Sequence, residues 1–182
     1  IPTPVFESAV PINPIVYQTS PNGKATRRDI REAKALLRQA GYANGIDPNT
    51  GKPLILHYDV AGSTSPDSKA QFDWMRKQFS KLGIALDVRA TQYNRFQEKI
   101  RMGNAQLFSW GWKADYPDAE NFLFLLYGPN AKVVNGGENA SNYRNPQFDT
   151  LFESMQNMPP SPQRAALIQS LIEIARIDAP WV

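Results

Sequence analysis

A strand, a helix and a second strand follow one another between Pro53 and Ala90, and this order limits the possible folds more than any other feature of the chain. In "PLILHYDV", Leu54, Leu56, Tyr58 and Val60 alternate onto one side, which is the period of an extended strand. Ser65 and Pro66 then provide an N-cap and a first-turn proline. Phe72, Met75, Phe79 and Leu82 make an apolar stripe at helical spacing that stops at Gly83. "IALDVRA" resumes the strand pattern from Ile84. Two strands joined through a helix lie parallel, with a right-handed crossover, so the expected class is α/β.

The remaining segments add helices to that unit. The first 25 residues hold five prolines (Pro2, Pro4, Pro11, Pro14, Pro21) without periodicity, and residues 1–25 are expected to run as an extended connector. From Thr26, which with Asp29 resembles a capping box, Ile30, Ala33, Leu36, Leu37 and Ala40 predict a helix over Arg27–Ala40. Its basic face (Arg27, Arg28, Arg31, Lys34, Arg38) reads as a solvated face. Tyr93, Phe96 and Ile100 predict another helix closed by Gly103, and "AQLFSWGW" reads as one more buried strand. A short apolar turn over Glu120–Leu126 precedes a Gly/Asn-rich loop from Gly128 to Asn145. Asn145 with Pro146 and Ser161 with Pro162 open the last two helices, the first bearing Phe148, Leu151, Phe152 and Met155.

With 182 residues, 42% hydrophobic and 20% charged, the chain is long enough for a real core in one or at most two domains. Its net charge of +3 is spread without a basic block, which argues against nucleic acid as a partner. The absence of cysteine excludes disulfides, thiolate metal sites and cysteine nucleophiles and leaves the compartment open. No apolar run is long enough to span a bilayer. Ile1 opens neither with methionine nor with a signal pattern, and "IARIDAPWV" stops where an apolar segment begins, so the chain reads as a piece of something longer.

The stretch "FSWGWKADYPDAENF" crowds Trp110, Trp112, Tyr116 and Phe122 around Asp115, Asp118 and Glu120. Ligands of α/β sheets sit beyond the carboxyl ends of the strands. With a strand ending near Trp112, Asp115 projects into that region, where rings that exclude water strengthen its pairing with a ligand ammonium. The alternative is packing for the two tryptophans and helix capping for an acid beside Pro117. Asp118 and Glu120 suit the cap and the helix dipole, so Asp118 is assigned to structure and Asp115 to a ligand. A hydrolase using Asp115 and Asp118 as paired carboxylates, with Glu120 added for a hard cation, is the competing reading. No spaced metal ligands, nucleophile, phosphate loop or cofactor motif accompanies it. His57, the one histidine, sits mid-strand and reads as a hydrogen-bonded strand residue rather than a general base.

Four stretches together resemble a known family. In chain order, "REAKALLRQAGYANG", "MRKQFSKLGIALDV", "WGWKADYPDAENFLFLLYGPN" and "NYRNPQFDTLFESM" are similar to segments of the C-terminal lobe of the oligopeptide/dipeptide-binding (family 5) solute-binding proteins of ABC importers. The resemblance covers about Thr26 to Trp181. It implies a type II periplasmic-binding-protein-like lobe over residues 26–182, with a small mixed sheet containing the βαβ unit and flanked by helices. An N-terminal lobe and a final C-terminal segment would lie outside this chain. It also implies a non-enzymatic, periplasmic or lipid-anchored binder, without cofactor or metal. Such a binder closes on a peptide-like or other amine-bearing solute and presents it to a permease. Asp115 matches the acid that pairs with a ligand α-ammonium, and Trp110, Trp112 and Tyr116 match cleft-wall positions. Ser109 stands where some oligopeptide binders place an arginine for a ligand carboxylate, which makes long free peptides a poorer expectation than dipeptides or other amines.

Overall fold

Part of the expected connector is a hairpin. A computed structural model describes residues 13–62 and 65–181, so Pro2, Pro4 and Pro11 lie outside the described residues. Strands β1 (Tyr17–Thr19) and β2 (Ala25–Arg27) pair with each other. Pro21 takes the second position of a turn closed by the Gly23 N–H on the Ser20 carbonyl at 2.8 Å, a place where a fixed φ helps. Helix α1 (Ile30–Gln39) starts three residues later than its periodicity predicts, because Thr26 is held in β2. The capping oxygen belongs to Asp29, which accepts the Arg31 N–H at 2.8 Å.

The chain forms two compact units. One comprises Arg27–Ile100 and Asn104–Trp110; the other takes in the chain up to Thr26, Arg101–Gly103 and everything from Gly111 on. In the first, β3 (Ile55–Ala61), α2 (Pro66–Ser80) and β4 (Ala85–Thr91) make the expected βαβ unit, with Ser65 capping α2. Helix α3 (Tyr93–Arg101) and β5 (Leu107–Phe108) follow, and the strand order is β4-β3-β5. Where a mixed sheet is expected, both pairings are parallel, with Tyr58 opposite Val88 and Leu107. Leu86 and Val60 are buried on the side where Phe72 of α2 meets Tyr58 edge-on at 6.2 Å. The opposite face carries His57 and Asp59 against Asp87 and Arg89.

Two glycines fix how the turns of this unit fit. A Cβ on Gly45 would lie 2.3 Å from the Gly83 carbonyl oxygen, and one on Gly83 would lie 2.2 Å from the Asn44 oxygen. Both residues have positive φ. Strain and clash add, so Gly83→Ala is expected to cost about 2 kcal/mol or more, read as a lower urea midpoint; an unchanged midpoint would show that the turns part easily.

Beyond the hairpin, the second unit is helical. It contains α4 (Glu120–Leu123), a 3-10 turn over Phe124–Leu126, α5 (Lys132–Asn135), α6 (Pro146–Gln156) and α7 (Pro162–Asp178). Asn145 and Ser161 cap α6 and α7 as their Asn-Pro and Ser-Pro pairs predict. Phe148, Phe152 and Met155 of α6 bury against Ile168 and Leu171 of α7 and against Leu123 and Leu126. The Gly/Asn-rich segment is an ordered part of this packing. Buried Asn139 donates to the Tyr127 and Tyr143 carbonyls at 3.1 and 3.0 Å, which anchors both ends of the segment.

Candidate functional site

The stretch between β5 and α4 is shaped by one buried amide. Strand β5 ends at Phe108, four residues short of the expected end at Trp112. The Ser109 N–H still reaches the Asp59 carbonyl at 3.3 Å, and the chain leaves this unit at Gly111. Beyond that point Asn121, only 2% exposed, accepts the Trp112 indole N–H at 2.9 Å and the Asp115 main-chain N–H at 3.1 Å on the same Oδ1. Phe124 backs the indole edge-on at 5.3 Å. Asp115 is exposed, and among the described residues no hydrogen bond or ion pair engages its carboxylate.

The other two acids are engaged. Asp118 receives both guanidinium nitrogens of Arg164, a buried residue of α7, at 3.0 and 2.7 Å, and accepts the Glu120 N–H at 2.8 Å. The Arg164 bonds hold the Asp118 carboxyl below the usual carboxylate range against the opposing effect of partial burial. Asp118 thus serves structure, as assigned, although α4 itself begins after Ala119 without a side-chain cap. Glu120 accepts from the Tyr116 hydroxyl. For that phenol, the lowering influence of Asn121 is outweighed by Glu120, burial and neighbouring charge, which leave it above its ordinary pKa. Both oxygens of the Asp118 carboxylate are thus engaged by Arg164, which places this acid in a structural ion pair. Among the described residues no three His, Asp or Glu side chains gather as a metal site.

Of the five residues singled out from the sequence, the structure brings Trp112 and Asp115 together on Asn121, while Tyr116, next to Asp115 in the chain, bonds Glu120. Ser109 and Trp110 belong to the other unit. Ser109 is exposed, and Trp110 is half-buried with its ring tilted against Phe96 at 5.6 Å. His57 is the strand residue it was read as: its Nδ1 lies 3.1 Å from Asp87, and Arg89 reaches its Nε2 at 3.2 Å. The bonds from Arg89, then His57, keep the Asp87 carboxyl below its ordinary pKa. Sequence reasoning passed over Asn121, Arg164 and the buried Asp59, whose partner is Lys99. A signal existed for Arg164, which shares the i, i+4, i+7 row with Ile168 and Leu171 on the apolar face of α7.

Residues 5–133 match the family model described as bacterial extracellular solute-binding proteins, family 5, middle region. The chain belongs to this family. Heme-binding protein A of Haemophilus influenzae is 23% identical over 172 residues, covering 94% of this chain and 30% of that protein. The oligopeptide-binding protein OppA of Bacillus subtilis is 24% identical over 163 residues, covering 89% and 28%. The solved structure of the Helicobacter pylori periplasmic binding protein DppA with the peptide STSA superposes with a TM-score of 0.71 at 24% identity, over 93% of this chain and 33% of that one. That solved structure shares the α/β fold expected from the sequence. The chain spans about 30% of the length of the relatives it matches.

Proposed function

We propose that the chain is part of the C-terminal lobe of an extracytoplasmic solute-binding protein. In this reading it holds a peptide-like or other amine-bearing solute against an N-terminal lobe and hands it, chemically unchanged, to the permease of an ABC importer. Family membership supports solute binding. The observation that supports an amine is Asp115, the one acid of its stretch whose carboxylate has no side-chain partner among the described residues. Trp112 and Tyr116 flank it and would shield an ammonium from water, which strengthens the pairing. Relatives are named for peptides and for heme. Of these, a peptide fits Asp115, because its free amine is cationic, whereas heme presents anionic propionates. Ser109 and Trp110 enter as solute contacts on the resemblance alone.

Calorimetry of the intact protein with dialanine and N-acetyl-dialanine tests this. Stoichiometric uptake of dialanine, recovered unchanged, is expected, and acetylation of the amine is expected to weaken binding about tenfold or more. Equal affinity for the two would remove the amine from the recognition; hydrolysis of the dipeptide would replace binding with catalysis.

A further inference from the structure

A polar side chain buried to 2% exposure, in a segment whose Ala119, Leu123 and Leu126 are buried too, needs a reason, since an amide taken from water is costly unless its hydrogen bonds are replaced. Asn121 replaces them on one small patch. Its Oδ1 takes two donors, the Trp112 indole N–H at 2.9 Å and the Asp115 main-chain N–H at 3.1 Å, which fills both lone pairs of that oxygen. The Asn121 main-chain N–H donates to the Asp118 carbonyl at 3.2 Å, and the Asp118 carboxylate is clamped to α7 by Arg164. The residue is therefore tied to Asp118 through its main chain and to Trp112 and Asp115 through its side chain. Both of these belong to the stretch proposed to meet a solute.

We propose that Asn121 is a positioning residue for solute binding: by accepting from Trp112 and Asp115 on one oxygen, it fixes the plane of the indole and the start of the Asp115 segment at a set spacing before a solute arrives. The proposal rests on the reading of Asp115 as the amine anchor. Its energetic content is preorganisation, because a wall and an anchor that need no ordering on binding keep more of the contact energy as affinity. An apolar side chain of the same size would fill the space equally well and would leave both donors to find water.

The test uses the intact protein with Asn121→Leu, Asn121→Ser and Asn121→Asp. Leu matches the volume and has no acceptor, Ser is too short to serve both donors, and Asp keeps an oxygen for each. Two readouts are taken. Hydrogen exchange of the Trp112 indole N–H, followed by nitrogen-15 NMR without solute, is expected to accelerate about tenfold or more in the Leu and Ser variants and to stay near the wild-type rate in the Asp variant. Dialanine affinity is expected to fall about tenfold in the Leu and Ser variants and to stay within about threefold in the Asp variant. Should the Leu variant fail to fold, Ser against Asp decides. Unchanged indole exchange in the Ser variant, or equal affinity losses in Ser and Asp, overturns the proposal. Asp115→Asn separates this from the reading beneath it: wild-type dialanine affinity there removes the anchor, whereas the indole exchange still reports on Asn121 with no solute present.

Discussion

Replacing Asp115 by alanine is expected to weaken dialanine binding to the intact protein by about ten- to a hundredfold while leaving its unfolding midpoint unchanged. A charge-assisted hydrogen bond in a water-poor site contributes about 1.5–3 kcal/mol, which sets that range. Stability should not move, because the Asp115 carboxylate is exposed and makes no contact that the described residues record. The contact that is made, from its main-chain N–H to Asn121, survives in alanine. The expected loss is specific to the amine. N-acetyl-dialanine, which has no ammonium to place, should bind wild type and variant alike, so the pair of ligands and the pair of proteins form a cycle that isolates the charge interaction. Isothermal calorimetry of the four combinations reads it. An alanine variant with full dialanine affinity, or one that loses both ligands equally, removes Asp115 from the amine site.

How much of this was legible in advance depends on how local each signal is. Ser65-Pro66, Asn145-Pro146 and Ser161-Pro162 place their helix starts to the residue, because a cap and a first-turn proline act within four residues of chain. The βαβ unit was equally readable from the switch in period between Leu56, Tyr58 and Val60 and the stripe of Phe72, Met75 and Phe79. The cap at Thr26 misled because its competitor was not local. The hairpin that claims Thr26 turns at Pro21 to Gly23, and only pairing with Tyr17–Thr19 shows it. The strand drawn to Trp112 failed for a similar reason: an apolar run carries no record of where the chain turns away from its neighbour β3, which runs on to Ala61.

In the candidate site, ring and acid types marked one stretch, and the structural role of Asp118 followed from capping preferences. The means by which it is enforced did not. Arg164 lies 46 residues beyond Asp118, and nothing in the acidic loop says which distant cation will neutralise one of its members. Asn121 sits inside "AENFLFLL", where a lone amide in an apolar run is the trace a buried polar hub leaves in sequence.

The Arg164–Asp118 pair yields the largest stability effect expected of this chain. Arg164 is buried, makes two bonds to Asp118 and one from Nε to the Met155 carbonyl at 3.3 Å, and so ties the loop before α4 to the junction of α6 and α7. Removing one partner of a fully buried pair costs about 3–5 kcal/mol. With the Asp118 side chain 32% exposed, water takes up part of the abandoned charge, and Arg164→Met is expected to cost about 2–4 kcal/mol in urea unfolding at neutral pH. The pH dependence fixes the cause. Because the folded Asp118 pKa is depressed below its unfolded value, its contribution is fully present above the unfolded value of about 4 and is lost as pH falls through the folded pKa. The gap between wild type and Arg164→Met should therefore narrow in acid. Adding Asp118→Asn to Arg164→Met should recover part of the loss, because no carboxylate is then left without its guanidinium. A gap that stays constant down to pH 2.5, or a double variant as unstable as the sum of the singles, would assign the loss to the packing of the arginine stem.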